Sequence, residues 1–241
     1  MTTQTVHLLA KTEVARGTIA FHLEKPAGFS FRAGQAMDVI LPNAGEARNT
    51  GDGRHAFSIV SAPHETELVV TTRMRDSTFK KALGSLPIGA VLEIDGPFGS
   101  LTLHKKVERA GVLIAGGIGI TPFISMLRDA AHRQSPQPLA LLYSNRRPED
   151  TAFLAELRQM EKTNPHFRLV ATMTDMAQSS QSWSGETGII DADYVKRATA
   201  TLPAPIFYLC GPPGMVEAMR TMLTEAGYDE DDVRSEEFYG Y

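Results

Sequence analysis

The feature that most constrains this chain is a change of hydrophobic period near its middle. In the first hundred residues apolar and polar side chains alternate in short runs; from Gly111 onward, continuous apolar runs alternate with segments of 3/4 spacing. A period of two marks half-buried strands, whereas strand–helix alternation marks βα units whose strands lie parallel. One sheet type cannot satisfy both rhythms. The expected fold class is therefore β followed by α/β: an N-terminal antiparallel barrel domain over 1–106 and a parallel α/β domain over 107–241.

The first rhythm is plainest in Arg16–Lys25, where Ile19, Phe21 and Leu23 alternate with Thr18, Ala20, His22 and Glu24. Further strands are expected at Ala36–Leu41, Ala56–Ser61, Glu67–Met74 and Val91–Ile94, with one helix over Ser77–Leu86 and a polar, Gly-rich loop over Pro42–Arg54. Many short strands with a single helix suit a small antiparallel barrel. In the second half, strands are expected at Gly111–Ala115, Leu139–Tyr143, Arg168–Met173 and Ile206–Cys210, with a last strand after the acidic stretch Asp229–Asp232. Helices are expected around Phe123–Ala130, over Glu149–Lys162 and over Pro213–Ala226. Ligands of such a sheet gather at the carboxyl ends of its strands.

Composition narrows the function. Net charge is −4, and six of the 28 acids fall in Asp229–Glu237 against Arg234 alone, which leaves the body of the chain nearly neutral. Without a basic field, nucleic acid is not the expected partner. Cys210 is the one cysteine, so no intrachain disulfide, cysteine zinc site or iron–sulfur cluster can be built, and no metal site is expected. The uncharged run Ala110–Leu127 carries Gly111, Gly116, Gly117, Gly119 and Pro122, which suit a strand–turn–helix and not a membrane span. The N-terminal residues lack the apolar core of a secretory signal, so a cytoplasmic protein is expected.

Several strand ends carry residues suited to ligands. Ala115-Gly-Gly-Ile-Gly-Ile-Thr-Pro122 follows an apolar run and opens a helix. Glycines there admit close backbone approach to a pyrophosphate, and the helix start supplies free N–H groups and a positive dipole end. Tyr208-Leu-Cys-Gly-Pro-Pro-Gly-Met215 forms a second Gly/Pro elbow, and Tyr143-Ser-Asn-Arg-Arg147 offers amides and cations at a third strand end. In the first half, Arg54-His-Ala-Phe-Ser58 pairs an aromatic with a hydroxyl, able to stack on a planar ring and to donate to its edge. Ser77 and Thr78 at a helix start can serve as caps or as phosphate ligands.

Taken in order, these elements resemble the ferredoxin–NADP reductase superfamily of flavoprotein electron transferases. Phe31-Arg-Ala-Gly-Gln35 looks like the entry into a flavin barrel, Phe57-Ser58 like the flavin motif Arg-x-Tyr-Ser/Thr, and Gly96-Pro-Phe-Gly99 like the turn that closes the barrel. Gly116–Thr121 is similar to the nucleotide pyrophosphate loop, Cys210-Gly-Pro-Pro213 to the nicotinamide-side motif, and Glu236–Tyr241 to tails that lay an aromatic over the flavin.

The resemblance implies a six-stranded barrel holding FAD rather than FMN, with Arg54, His55, Ala56, Phe57, Ser58, Thr72, Arg73, Met74, Ser77, Thr78 and Phe238 as flavin contacts. It implies an NAD(P)H site at Gly116, Gly117, Ile118, Gly119, Thr121, Asn145, Arg146, Asp175, Cys210, Gly211, Pro212 and Pro213. Ser58, Cys210 and Glu236 would be the catalytic set: Ser58 bonding flavin N5, Cys210 beside nicotinamide C4, Glu236 handling a proton. Two departures stand out. His55 occupies the place of the motif arginine, which leaves the pyrophosphate to Arg54 or Arg73; Thr174-Asp175 occupies the place where NADP-selective members carry Ser-Arg, which leans to NADH, while Arg146 and Arg147 argue for NADPH.

The implied activity is a hydride transfer from NAD(P)H to the flavin, followed by electron delivery to a separate acceptor. Arg73, Arg75, Lys80 and Lys81 suggest an acidic carrier protein such as a ferredoxin or flavodoxin. The same motifs are compatible with a flavin reductase that releases reduced flavin, and with a non-catalytic nucleotide-binding subunit.

Overall fold

The computed structural model describes residues 3–42 and 53–238. Most of the loop expected over Pro42–Arg54 and the last three residues of the C-terminal motif lie outside them. The chain divides into two compact units. The first comprises Met1–Thr102 with Thr121–Asp129, and the second Leu103–Ile120 with Ala130–Tyr241.

The first unit is a six-stranded antiparallel sheet. Its strands are β1 (Gln4–Ala15), β2 (Thr18–Glu24), β3 (Ala36–Ile40), β4 (Arg54–Ser58), β5 (Glu67–Arg73) and β6 (Val91–Phe98), in the order β4-β3-β6-β1-β2-β5. The segment just past β4 meets β5: Val60 N donates to Val69 O at 2.7 Å, and Val69 N donates to Ser61 Oγ at 3.0 Å. Closure removes the exposed edges that an open sheet would present. Val6, Leu8, Phe21, Leu23, Met37, Val39, Leu68, Val70, Leu92 and Ile94 fill the interior. Helix α1 (Thr78–Ser85) contributes Phe79 and Leu83 to the same core, and Ser77 caps it by accepting from Lys80 N. The first residues of α2 (Thr121–His132) pack on this unit, where Ser125 Oγ donates to Ser61 O at 2.7 Å.

The second unit is a parallel sheet in the order β10-β9-β8-β7-β11-β12. Its strands are β7 (Gly111–Gly116), β8 (Leu139–Asn145), β9 (Phe167–Met173), β10 (Glu186–Thr187), β11 (Ile206–Gly211) and β12 (Val233–Glu237). Val112, Ile114, Ala140, Leu142, Phe207 and Leu209 pack on Tyr194, Val195 and Ala198 of α4 (Ala192–Thr199) and on Val216 and Leu223 of α5 (Pro213–Glu225). The helix expected over Glu149–Lys162 is broken. A 3-10 turn at Pro148–Asp150 is followed by α3 (Leu154–Thr163), because Phe153 takes the left-handed conformation (φ 61°) between them. Asp232, in the acidic stretch ahead of the last strand, accepts from Arg109 Nη2 at 2.6 Å.

Among the described residues, no helix is long and apolar enough to cross a membrane, and no group of three or more His, Cys, Asp or Glu is placed to hold a metal ion.

Candidate functional site

In the first unit the expected flavin residues lie on β4, on β5 and at the start of α1. Strand β4 alternates: Arg54 and Ser58 share one side, His55 and Phe57 the other. Phe57 is nearly enclosed, its ring against Phe79 at 5.9 Å and edge-on to His55 at 5.0 Å. Ala56 is exposed. Ser58 is only 4% exposed, yet its Oγ has no hydrogen-bond partner among the described residues, and the Thr71 hydroxyl on β5 is buried in the same condition. A buried hydroxyl without a partner costs about 1–3 kcal/mol, so both atoms suit a ligand carrying acceptors or donors. Thr72 is buried, Arg73 and Met74 half-buried, and Ser77 and Thr78 exposed at the start of α1.

Arg54 is engaged elsewhere. Its Nε and Nη2 donate to Asp38 Oδ2 at 2.9 and 2.6 Å, and Nη2 donates to Asp95 Oδ2 at 2.7 Å. Asp38 and Asp95 face each other across the β3–β6 pair, so the guanidinium closes a gap between two like charges. Lys80 is 9% exposed, most of its stem being buried, and Lys81 pairs with Asp76.

In the second unit most of the expected nucleotide residues converge at the carboxyl ends of the strands. A Cβ on Gly119 would stand 2.2 Å from Cys210 O, and one on Gly116 2.2 Å from Met215 Sδ. Glycine at these places is what lets the β7 elbow close against the β11 elbow. Gly117 differs, with φ +54° and open space where a Cβ would point. Ile118 is half-buried beside it, and buried Thr121 opens α2. At the next strand ends Thr174 N donates to Asn145 O and Asp175 N to Arg146 O, at 2.9 and 2.8 Å, so Asn145, Arg146 and Asp175 form one rim. The Asn145 side-chain nitrogen is buried without a geometric hydrogen-bond partner among the described residues. Arg147 is held by Asp150 at 2.7 Å and belongs to the fold.

The parallel register of β11 and β12 sets Cys210 opposite Glu236, and Phe238 N donates to Gly211 O at 3.0 Å. The C-terminal segment is thereby brought to the Cys210-Gly-Pro-Pro213 elbow, where Pro212 and Pro213 are half-buried ahead of α5. Burial, with Glu236 as a lesser contributor, pushes the Cys210 thiol well up, so it stays protonated at neutral pH. Burial likewise raises Glu236. Sequence reasoning had no signal for a buried cluster elsewhere in this unit. There His104 Nδ1 lies 2.8 Å from the Tyr208 hydroxyl, and its Nε2 lies 2.9 Å from Gln137 Nε2.

Residues 113–221 match the oxidoreductase NAD-binding domain family. The chain is 28% identical over 228 residues to terephthalate 1,2-dioxygenase, reductase component 1, of Comamonas sp; the match spans 92% of this chain and 64% of that protein. It is 29% identical over 228 residues to ferredoxin–NADP reductase B of Sorangium cellulosum, with 91% and 90% covered. The crystal structure of a ferredoxin NADP+ reductase from Neisseria gonorrhoeae, with bound FAD and NADP, shares the fold at a TM-score of 0.81 and 22% identity, covering 98% of both chains. An antiparallel six-stranded unit followed by a parallel nucleotide-type sheet is the fold shared with that structure, and the chain is similar to ferredoxin–NADP reductases and to the reductase components of oxygenase systems.

Proposed function

We propose that this chain is a flavin-dependent oxidoreductase that takes electrons from NADH, and less readily from NADPH, and passes them to a separate acceptor. The domain division we propose is 1–106 for FAD and 107–241 for the nucleotide. The observation that carries the reading is Ser58, a buried hydroxyl at the end of β4 without a partner among the described residues. Together with Thr71 and the open face over Gly117, it offers what a flavin and a dinucleotide would use, so the residues fit both groups.

When bound, FAD supplies the step between two-electron oxidation of the nicotinamide and release to the acceptor. Ser58 would orient the ring by donating to its edge, with Phe57 packed behind the strand against Phe79. Thr72, Arg73, Met74, Ser77 and Thr78 would hold the chain and phosphates. Gly116, Gly117, Ile118, Gly119 and Thr121 would cradle the nucleotide pyrophosphate at the start of α2. Asn145, Arg146 and Asp175 would hold the adenosine ribose, and the Asp175 carboxylate would repel a 2′-phosphate. Cys210, Gly211, Pro212 and Pro213 would seat the nicotinamide, with Cys210 as a packing group and not a nucleophile. Glu236 holds its proton further up the pH scale than a free carboxylate and can pass one on, while Phe238 would cover the ring.

Likeness to a dioxygenase reductase component supports a protein acceptor, and the exposed cations Arg75 and Lys81 suit an acidic one. The test is a visible spectrum after dialysis, followed by rapid mixing with NADH or NADPH. The expected result is retained FAD bleached faster by NADH. Bleaching by neither nucleotide overturns the oxidoreductase reading, and flavin lost on dialysis but reduced when added points to a flavin reductase.

A further inference from the structure

Two strand ends of the second unit are fastened to each other by more than their sheet pairing requires. Segment 145–150 follows β8 and segment 174–180 follows β9, and hydrogen bonds join them at both ends. On the sheet side Thr174 N donates to Asn145 O and Asp175 N to Arg146 O. On the far side the Glu149 carboxylate accepts from Ser180 N at 3.0 Å and from Ser180 Oγ at 3.2 Å. It also accepts at 2.9 Å from the Ser179 hydroxyl, which reaches Gln181 O as well. Arg147, held by Asp150, adds a bond from Nη1 to Gln178 O at 3.3 Å. Between these fastenings lies only the 3-10 turn Met176–Gln178, with Asp175 in its cap position. An aspartate there ordinarily accepts from the N–H groups of the turn it opens, but the Asp175 side chain makes no cap bond. Its place is set by the fastenings on either side and not by its own carboxylate. The charges on the two segments are Arg146 and Arg147 against Glu149, Asp150 and Asp175, an excess of acid.

Resting on the reading of Asp175 as the group that disfavours a 2′-phosphate, we infer that Glu149 is a positioning residue for nucleotide choice: its hold on Ser179 and Ser180 keeps the Asp175 turn in place. Repulsion discriminates only as far as the repelling group is fixed. A carboxylate on a loose turn swings aside at small cost and leaves the phosphate to Arg146, exposed on the same rim; one on a turn fastened at both ends does not. Glu149 acts through the turn and needs no contact with the nucleotide. The Ser180 N–H above all, helped by the two serine hydroxyls and against a smaller desolvation, holds the Glu149 carboxyl down at about 2. The clamp is therefore ionised from mild acid through neutral pH.

The test is a double-mutant cycle on the full chain as purified, read by calorimetric titration with NAD+ and NADP+. Asp175→Ala should move the affinity ratio toward NADP+ by about 10-fold, and Glu149→Ala by about 3- to 10-fold. In the Asp175→Ala background Glu149→Ala should move it no further, because the group it positions is gone. Ser179→Ala with Ser180→Ala removes two donors to Glu149 and keeps its charge, so a shift in the same direction there is positional and not Coulombic. It also decides the matter if Glu149→Ala folds poorly, since a damaged fold weakens both nucleotides and leaves their ratio alone. An unchanged ratio in the serine pair, or equal effects of Glu149→Ala in both backgrounds, overturns the inference and leaves the Asp175 reading standing. An unchanged ratio in Asp175→Ala removes that reading and the inference with it, and binding of neither nucleotide overturns both.

Discussion

A hydroxyl buried without a partner makes an unusually clean mutational target, because removing it takes nothing from the protein's own hydrogen bonding. Ser58→Ala should hold or raise the melting temperature of the flavin-free chain, since it removes a buried hydroxyl whose unmet hydrogen bonding costs about 1–3 kcal/mol. If Ser58 donates to the flavin ring edge, the same substitution should slow reduction by NADH by roughly 10- to 1000-fold, the scale of one lost transition-state donor. Rapid-mixing kinetics and a melt on the same preparation check it, and unchanged kinetics would leave Ser58 as a strand residue only. The neighbouring positions show where sequence reading stops. The aromatic–hydroxyl pair was visible in Phe57-Ser58, but the fate of Arg54 was not. Its partners, Asp38 and Asp95, sit on two other strands 16 and 41 residues away, and nothing local records that pairing.

At the scale of elements, legibility followed periodicity. β2 was read from clean alternation, and α1 from a capped segment of Ser77–Leu86. β1 was missed because its pairing with β2 slips between Leu8 and Ala10 and again between Glu13 and Ala15. Such bulges reverse the side-chain parity, and Leu8-Leu9 then reads as noise. α4 was missed because eight residues make barely two turns, too few for a 3/4 stripe to repeat. Glu236 and Phe238 reach Cys210 and Gly211 only through parallel pairing of strands that α5 separates. The two elbow glycines carry a prediction of opposite character. Gly119→Ala drives a methyl into Cys210 O, a backbone atom that cannot step aside, and should cost about 3 kcal/mol, lowering the melting temperature by roughly 6–12 °C. Gly117→Ala meets open space and bears only the left-handed backbone penalty of about 1–2 kcal/mol. Its methyl would, however, project where a nucleotide pyrophosphate is proposed to lie, so NADH affinity should fall more than stability does. Titration of both variants against their melting curves checks this; unimpaired NADH binding by Gly117→Ala would remove the elbow from the nucleotide site.

Across the whole molecule, buried titratable groups set how stability responds to pH. Burial lowers His55 in the first unit and His104 in the second; Lys80 adds to the effect at His55, while the Arg109 carbonyl partly offsets it at His104. Both imidazoles therefore bind fewer protons folded than unfolded once the pH drops below the ordinary histidine value near 6.5. Their contribution is fully present above that value and is lost as pH falls through the folded values, by at most about 1.4 kcal/mol per pH unit for each ring. Glu236 acts with the opposite sign. Its raised pKa favours the folded state in acid, and that contribution fades as pH climbs past the ordinary carboxyl range, so it opposes the acid loss from the histidines. The flavin-free chain should accordingly lose melting temperature between pH 7.5 and 5.5. His104→Gln, which keeps a polar group near Tyr208 and Gln137, should flatten that slope whatever it does to stability at pH 7.5. A slope equal to wild type would take His104 out of the linkage and leave the acid response to His55 and the carboxylates.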